Sequence, residues 1–188
     1  MFARDRFIED CFEALRESNV EGAVKEIVSR AVSTPRSIEA ELGVPSKAGL
    51  QVVHRSAELT ILNVIWAPLM NLFPHDHQTW AVIGIYDGQE DNSFYRRRED
   101  GKGLDQINGR SLSEHDTVVL GDKVIHSVSN PRRQYTGALH VYGGDFFTIP
   151  RSEWDSPESA EQPYTVEHAM RAFDEANERA KALLAAQP

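Results

Sequence analysis

The sequence has a single cysteine, no membrane-length hydrophobic run and no excess of basic residues. Because Cys11 is alone, an intrachain disulfide and a zinc site built on two or four cysteines are excluded. No stretch approaches the roughly 18 consecutive apolar residues of a membrane span. The 29 acidic residues outnumber the 20 lysines and arginines, and the net charge of −9 argues against a nucleic-acid or anionic membrane partner. We therefore expect a soluble, cytoplasmic protein.

The chain of 188 residues is long enough for one domain with a well-buried core. Apolar spacing predicts helices over about 2–18 and 20–32, with a short helical turn that Ser37 caps. Short β-rich runs separated by turn residues fill 50–150 and favour an antiparallel sandwich or barrel, and an amphipathic helix begins after Thr165. The predicted division is a single domain over 1–188, with a helical extension over 1–45, a β core over 50–150 and a C-terminal helix over 165–187.

Histidines provide the strongest functional signal. His75 and His77 flank Asp76, and residues two apart on a strand point to the same side of a sheet. Asp76 therefore points to the opposite side, where a structural role is expected. Neutral imidazole is a common ligand of zinc, copper, iron and nickel. His126, which follows a Gly-Asp turn, is the natural third ligand, because its strand can lie beside the strand that carries the other two.

The spacing of these histidines resembles the two motifs of the cupin superfamily, G-x5-H-x-H-x3,4-E-x6-G and G-x5-P-x-G-x2-H-x3-N. His75-x-His77 with Gly88 fits the first motif, and His126-x3-Asn130 fits the second. The resemblance implies a mainly β fold, the double-stranded β-helix or jelly-roll barrel, here with N-terminal helices and a C-terminal helix. The glutamate of the first motif is replaced by Ala81 or, with the longer spacing, Val82. This departure points to a site of three histidines.

A more specific resemblance is to the cysteine dioxygenase-like (thiol dioxygenase) family. The string ALHVYGGDF, with His140-x-Tyr142, resembles the S-x-H-x-Y motif of that family, and NVIWAP, PHDH and SLSEHDTVVLGDKVIHSV are similar to neighbouring blocks. The resemblance implies that His75, His77 and His126 bind Fe(II). It implies that O2 oxidises a thiolate to a sulfinate at this ion.

The same resemblance implies roles for further residues. Tyr142 would place its hydroxyl near the substrate and the bound oxygen, where it could donate a hydrogen bond, and His140 would orient it. Arg55 would receive the substrate carboxylate, and Arg151 is the alternative partner. The serine of the family motif falls at Ala138, so the hydrogen-bond relay would end at His140 or use another donor.

We therefore expect an iron-dependent dioxygenase whose partners are a small carboxylated thiol and O2. The alternatives are another three-histidine metalloenzyme, either a dioxygenase that cleaves carbon–carbon bonds or a zinc-dependent hydrolase or lyase, and a non-catalytic ligand-binding cupin. Zinc, nickel and manganese are the alternatives to iron. The oligomeric state stays open between a monomer and a homodimer.

Overall fold

The computed structural model describes residues 2–186 and, within them, four helices and eleven strands. The helices are α1 (Arg4–Ala14), α2 (Val20–Val32), α3 (Pro35–Leu42) and α4 (Val166–Ala185). The strands are β1 (Gly49–Arg55), β2 (Leu59–Trp66), β3 (Asn71–Asp76), β4 (Ala81–Asp87), β5 (Gln89–Arg97), β6 (Leu104–Ser113), β7 (Thr117–Leu120), β8 (Ile125–Ser129), β9 (Thr136–Gly143), β10 (Ser152–Glu153) and β11 (Gln162–Pro163).

The strands form two antiparallel sheets with a nested order. One sheet has the order β1-β2-β9-β4-β7, and the other has the order β11-β10-β3-β8-β5-β6. Strand β2 therefore pairs with β9, β3 with β8, β4 with β7 and β5 with β6. From β2 to β9 the chain passes to the other sheet at every connection except the β5–β6 hairpin. This nesting is that of a jelly roll, and it confirms the predicted mainly β, double-stranded β-helix fold.

The inner strands of the first sheet, β2, β9 and β4, are buried on both faces, and alternate side chains pack against different parts of the molecule. Leu62, Ile83 and Ala138 face the core between the sheets. Ile61 and Val82 are among the side chains that face outwards, where they pack against α1 and α2. Because both faces are covered, β2, β4 and β9 are almost continuously apolar rather than alternating.

The helical ends follow the predicted pattern with shifted boundaries. α2 has the predicted bounds, whereas α1 is shorter than the predicted 2–18. α3 begins at Pro35 rather than after Ser37, because proline is well suited to the first turn of a helix. Thr165 caps α4 as expected, by accepting a hydrogen bond from the backbone N–H of His168 at 3.2 Å. Residue 187, the last of the predicted helix, lies outside the described residues.

None of the helices within residues 2–186 combines the length and the hydropathy that crossing a bilayer requires.

Candidate metal centre

Two paired strands bring the three predicted histidines together inside the barrel. His75, on β3, lies directly opposite His126, on β8, in the antiparallel register, and His77 follows the end of β3. All three side chains are buried, with 5% or less of each residue exposed. The Nε2 atom of His77 lies 3.3 Å from Nε2 of His75 and 3.1 Å from Nε2 of His126. The three rings therefore converge through their Nε2 atoms.

Hydrogen bonds on the far side of two rings determine which nitrogen is free. Nδ1 of His75 lies 3.0 Å from the carbonyl oxygen of Phe73, which can only accept, so this Nδ1 carries the hydrogen. Nδ1 of His126 lies 2.7 Å from Oδ1 of Asn92 and donates to it in the same way. Both histidines therefore present a bare Nε2 lone pair to the centre of the cluster.

The geometry and chemistry of this cluster fit a divalent transition metal. Metal–nitrogen bonds of about 2.0–2.1 Å separate two ligand nitrogens by about 2.8–3.4 Å for octahedral to tetrahedral angles, which includes both distances between the rings. The bare Nε2 atoms of His75 and His126 both lie against Nε2 of His77 in a buried space, where one cation would satisfy all three nitrogens. Imidazole suits zinc, copper, iron and nickel. The cluster of His75, His77 and His126 is thus compatible with a metal site.

Burial keeps these histidines in the form that binds metal. It lowers the pKa of His75 to about 4, and burial together with neighbouring histidines lowers the pKa of His77 and His126 well below 6.5. All three imidazoles are therefore neutral at pH 7. The positions of the missing glutamate, Ala81 and Val82, are both fully buried in β4. Among the described residues, no carboxylate joins the cluster.

His140 and Tyr142 lie beside the cluster, on the inner face of β9. Both are buried, and Nδ1 of His140 lies 2.9 Å from the hydroxyl oxygen of Tyr142. The Tyr142 ring meets the His77 ring edge-on, with 5.2 Å between centroids, and stacks on Phe146 at 4.0 Å. Burial, and then the nearby Glu90 carboxylate, raises the pKa of Tyr142 well above its usual value of 10. Its hydroxyl is therefore neutral and acts through hydrogen bonds.

Two residues of β5 that the sequence analysis did not single out complete this region. Glu90 is fully buried and accepts hydrogen bonds from Nε1 of Trp66 at 2.8 Å and from Nδ2 of Asn92 at 2.9 Å. Its Oε2 also lies 3.4 Å from Nε2 of His140. Glu90 and Tyr142 thus lie beside different nitrogens of the His140 ring. The signal for Glu90 and Asn92 in the sequence is their spacing, because residues two apart on a strand share a face.

The structure separates the two candidate arginines. Arg55 forms a two-pronged ion pair with Asp145, at 2.8 and 2.9 Å, and 45% of its side chain is exposed. Neither Arg55 nor Arg151 is among the residues that line the cavity at the histidines. Arg151 is buried, and its guanidinium lies between the rings of Phe146 and Tyr164, at 4.0 and 3.9 Å from their centroids.

Part of the Arg151 guanidinium is unpaired. Its Nη1 donates to the carbonyl oxygens of Phe146 and Ile149. Its Nε and Nη2 are buried without a hydrogen-bond partner among residues 2–186. An unpaired buried cation is costly, so these atoms indicate a place for an anion.

The cavity at the histidines is small and mostly apolar. It has a volume of about 20 Å³, and apolar side chains of both sheets surround the three histidines, His140 and Tyr142. Phe146, Tyr164 and, from α4, Phe173 complete its lining. This volume holds about one water molecule, so a larger ligand requires some of the lining side chains to move.

The likeness of this chain to known proteins is one of fold. No family model matches it. A protein from Bacillus halodurans has 12% identity and a TM-score of 0.51, and the match covers 71% of this chain and 90% of that one. A protein with a double-stranded β-helix domain from Klebsiella pneumoniae subsp. pneumoniae has 14% identity and a TM-score of 0.44, with 56% and 81% covered. A cupin family protein from Methanocaldococcus jannaschii has 10% identity and a TM-score of 0.44, with 55% and 84% covered.

At 14% identity or less, these likenesses concern the fold alone and do not single out the thiol dioxygenase family. Because one fold hosts many activities, function has to be argued from the residues of the site.

Proposed function

We propose that this protein is a non-haem iron(II) dioxygenase that oxidises a small carboxylated thiol to its sulfinic acid. The observation that carries the proposal is the combination of three converging neutral imidazoles, no carboxylate among the described ligands, and an unpaired buried guanidinium nearby. Three neutral ligands leave the full charge of a divalent ion in place, which favours an anionic substrate ligand such as a thiolate. Bound iron(II) would supply the redox chemistry by which O2 and the thiolate react.

The overall reaction balances without a further reductant. A thiolate and O2 give a sulfinate, in which both oxygen atoms are bonded to sulfur. The O–O bond breaks and two S–O bonds form, so sulfur loses four electrons and O2 gains four. The protein therefore needs to bind and orient two reactants and to exclude water, which is a task for positioned side chains in an apolar cavity.

Arg151 is the residue that we assign to the substrate carboxylate. Its two unpaired nitrogens, Nε and Nη2, form one edge of the guanidinium fork, the geometry that pairs with a carboxylate through two parallel hydrogen bonds. Arg55 already forms such a pair with Asp145. The sequence resemblance favoured Arg55, and its role stays a prediction that a direct comparison of the two arginines can test.

The first experiment is an oxygen-uptake assay on the iron-loaded protein. We expect uptake with cysteine or 3-mercaptopropionate and formation of one sulfinate per O2 consumed. Cysteamine, which lacks the carboxylate, should react poorly. The His126→Ala variant should lose both iron and uptake. Uptake with a catechol or a diketone in place of thiols would contradict the proposal. So would tightly bound zinc with no uptake after iron is restored, which would favour a hydrolase or lyase.

A second experiment tests the assignment of the carboxylate. A charge-assisted hydrogen bond contributes about 1.5–3 kcal/mol, so we expect Arg151→Met to raise the KM for the carboxylated thiol by about 10-fold to 100-fold. Arg55→Met is the matched control and should change this KM little. A large effect of Arg55→Met with no effect of Arg151→Met would reverse the assignment.

A further inference from the structure

Glu90 is a buried carboxylate that accepts two hydrogen bonds and lies beside Nε2 of His140, which has no hydrogen-bond partner among the described residues. It lies on β5 with no exposed surface, and no lysine or arginine pairs with it among the described residues. Its Oε1 accepts from Asn92 at 2.9 Å, and its Oε2 accepts from Trp66 at 2.8 Å and lies 3.4 Å from Nε2 of His140. A carboxylate is the one side-chain group that accepts at both ends, so a glutamine here would turn a donor towards another donor.

Glu90 is the centre of a hydrogen-bond network with two arms. The first arm runs from Glu90 through Asn92 to His126 in the histidine cluster. Because Oε1 of Glu90 can only accept, Asn92 must direct its Nδ2 towards Glu90 and its Oδ1 towards His126. The hydrogen of the His126 ring therefore lies on Nδ1, at 2.7 Å from that oxygen. Nε2 is left bare on the side where the three rings converge.

The second arm leads from Glu90 to Tyr142. The carboxylate beside Nε2 of His140 favours the tautomer that carries its hydrogen on that nitrogen. Nδ1 of His140 is then an acceptor, and the hydroxyl of Tyr142, 2.9 Å away, must donate to it. The oxygen lone pairs of Tyr142 are left to face the cavity. Tyr142 therefore offers the cavity a hydrogen-bond acceptor, whereas the sequence resemblance implied a donor.

We propose that Glu90 is a positioning residue that sets the hydrogen-bond polarity of two groups at once, the ligand nitrogen of His126 through Asn92 and the hydroxyl of Tyr142 through His140. Although burial raises the pKa of Glu90, its interactions with His140, Asn92 and Trp66 outweigh burial and hold the pKa below its usual 4.5, in accord with an ionised acceptor. The proposal rests on the proposed function in treating the histidine cluster as a metal site, but it does not require thiol oxidation.

The direct test reads the tautomers of the histidine rings by nitrogen-15 NMR of the full chain, with and without zinc(II) as a diamagnetic probe. We expect His126 to carry its ring hydrogen on Nδ1 and His140 to carry it on Nε2 in both samples. His140 with a hydrogen on Nδ1 would overturn the proposal. This measurement needs no substitution and is independent of any activity towards thiols.

A second test measures the affinity for cobalt(II) by competition with a chelator. A residue that orients a metal ligand typically changes metal affinity by about 10-fold to 100-fold, and we expect a loss of this size in Glu90→Gln and in Asn92→Ala. In the doubly substituted protein we expect no loss beyond that of Asn92→Ala, because Glu90 acts on His126 through Asn92. Unchanged affinity in Glu90→Gln, or losses that add in the double variant, would overturn the first arm.

The control for a merely structural effect is Tyr86→Phe. It removes another buried hydrogen bond, from the Tyr86 hydroxyl to Oδ1 of Asn63 at 2.9 Å, in the part of the core that faces the N-terminal helices. We expect this variant to be less stable but to bind cobalt(II) as the unsubstituted protein does. If Glu90→Gln fails to fold, Asn92→Ala and the NMR measurement still decide the proposal.

Discussion

Asn177 links α4 to the barrel through buried hydrogen bonds, and its replacement by alanine tests what they contribute. Its side chain makes two hydrogen bonds to the backbone of Ala48, which directly precedes β1. Oδ1 accepts from the Ala48 N–H at 2.8 Å, and Nδ2 donates to the Ala48 carbonyl at 3.0 Å. Both residues are buried. The same helix carries Phe173, which stacks on Trp66 at 5.4 Å and lines the cavity at the histidines.

The size of the effect follows from what the substitution leaves behind. Asn177→Ala removes both partners of Ala48 while its N–H and carbonyl stay buried, and each orphaned group costs about 1–3 kcal/mol. The sum is about 2–6 kcal/mol. Local detachment of α4 would admit water and limit the loss, but it would also give up the contact of Phe173 with Trp66. We therefore expect the free energy of unfolding to fall by at least about 2 kcal/mol, or about 4–8 °C in Tm.

Urea unfolding of the full chain measures this loss, and amide hydrogen exchange shows whether it is confined to α4. The matched control is Glu178→Ala on the same helix, because Glu178 is exposed and, within residues 2–186, pairs only with exposed Lys181. The control should change stability by less than about 0.5 kcal/mol. A change just as small in Asn177→Ala would refute the reasoning that these two hydrogen bonds hold the helix.

Two further predictions concern pH and thiol reactivity. In the metal-free protein the pKa values of His75, His77 and His126 lie below 6.5, so the folded state binds fewer protons than the unfolded chain as the pH falls below that value. The free energy of unfolding should have its full value above about pH 6.5. Below that pH it should fall by up to about 1.4 kcal/mol per pH unit for each histidine. Equal urea midpoints at about pH 7.5 and about pH 5.5 would contradict this. Burial, and then the Asp10 carboxylate, raises the pKa of the Cys11 thiol to about 12. Iodoacetamide should therefore leave this thiol unmodified in the native protein and label it after unfolding. Rapid labelling of the native protein would show instead that the thiol is accessible.

Local periodicity predicted much of the architecture and the pairs of residues that share a face. Strand alternation placed His75 with His77 and His140 with Tyr142, and both pairs point into the barrel. The same alternation placed Asp76 on the opposite side, where its carboxylate accepts from Arg97 and from the backbone N–H of Ser152. These predictions succeed because the side-chain period of a strand depends only on the backbone of that strand.

Long-range contacts account for what the sequence analysis missed. The polar run that contains Glu90 and Asn92 gives no local sign of burial, because its burial results from the pairing of β5 with β6 and β8. The sequence also gives no way to decide whether Arg55 or Arg151 is free to bind an anion, because both are arginines. Their difference arises because Asp145 neutralises Arg55, whereas two aromatic rings enclose Arg151.

The sequence by itself determined the layout of N-terminal helices, a β core and a C-terminal helix, the mainly β fold and the three histidines that can share one site. Only the tertiary structure decided that His126 faces His75 across β3 and β8, that Glu90 supports both His126 and Tyr142, and that the unpaired guanidinium is Arg151. The physical reason is the range of the interactions. Propensity and periodicity act over a few neighbouring residues, whereas strand register, burial and hydrogen-bond partners are set by residues far apart in the chain.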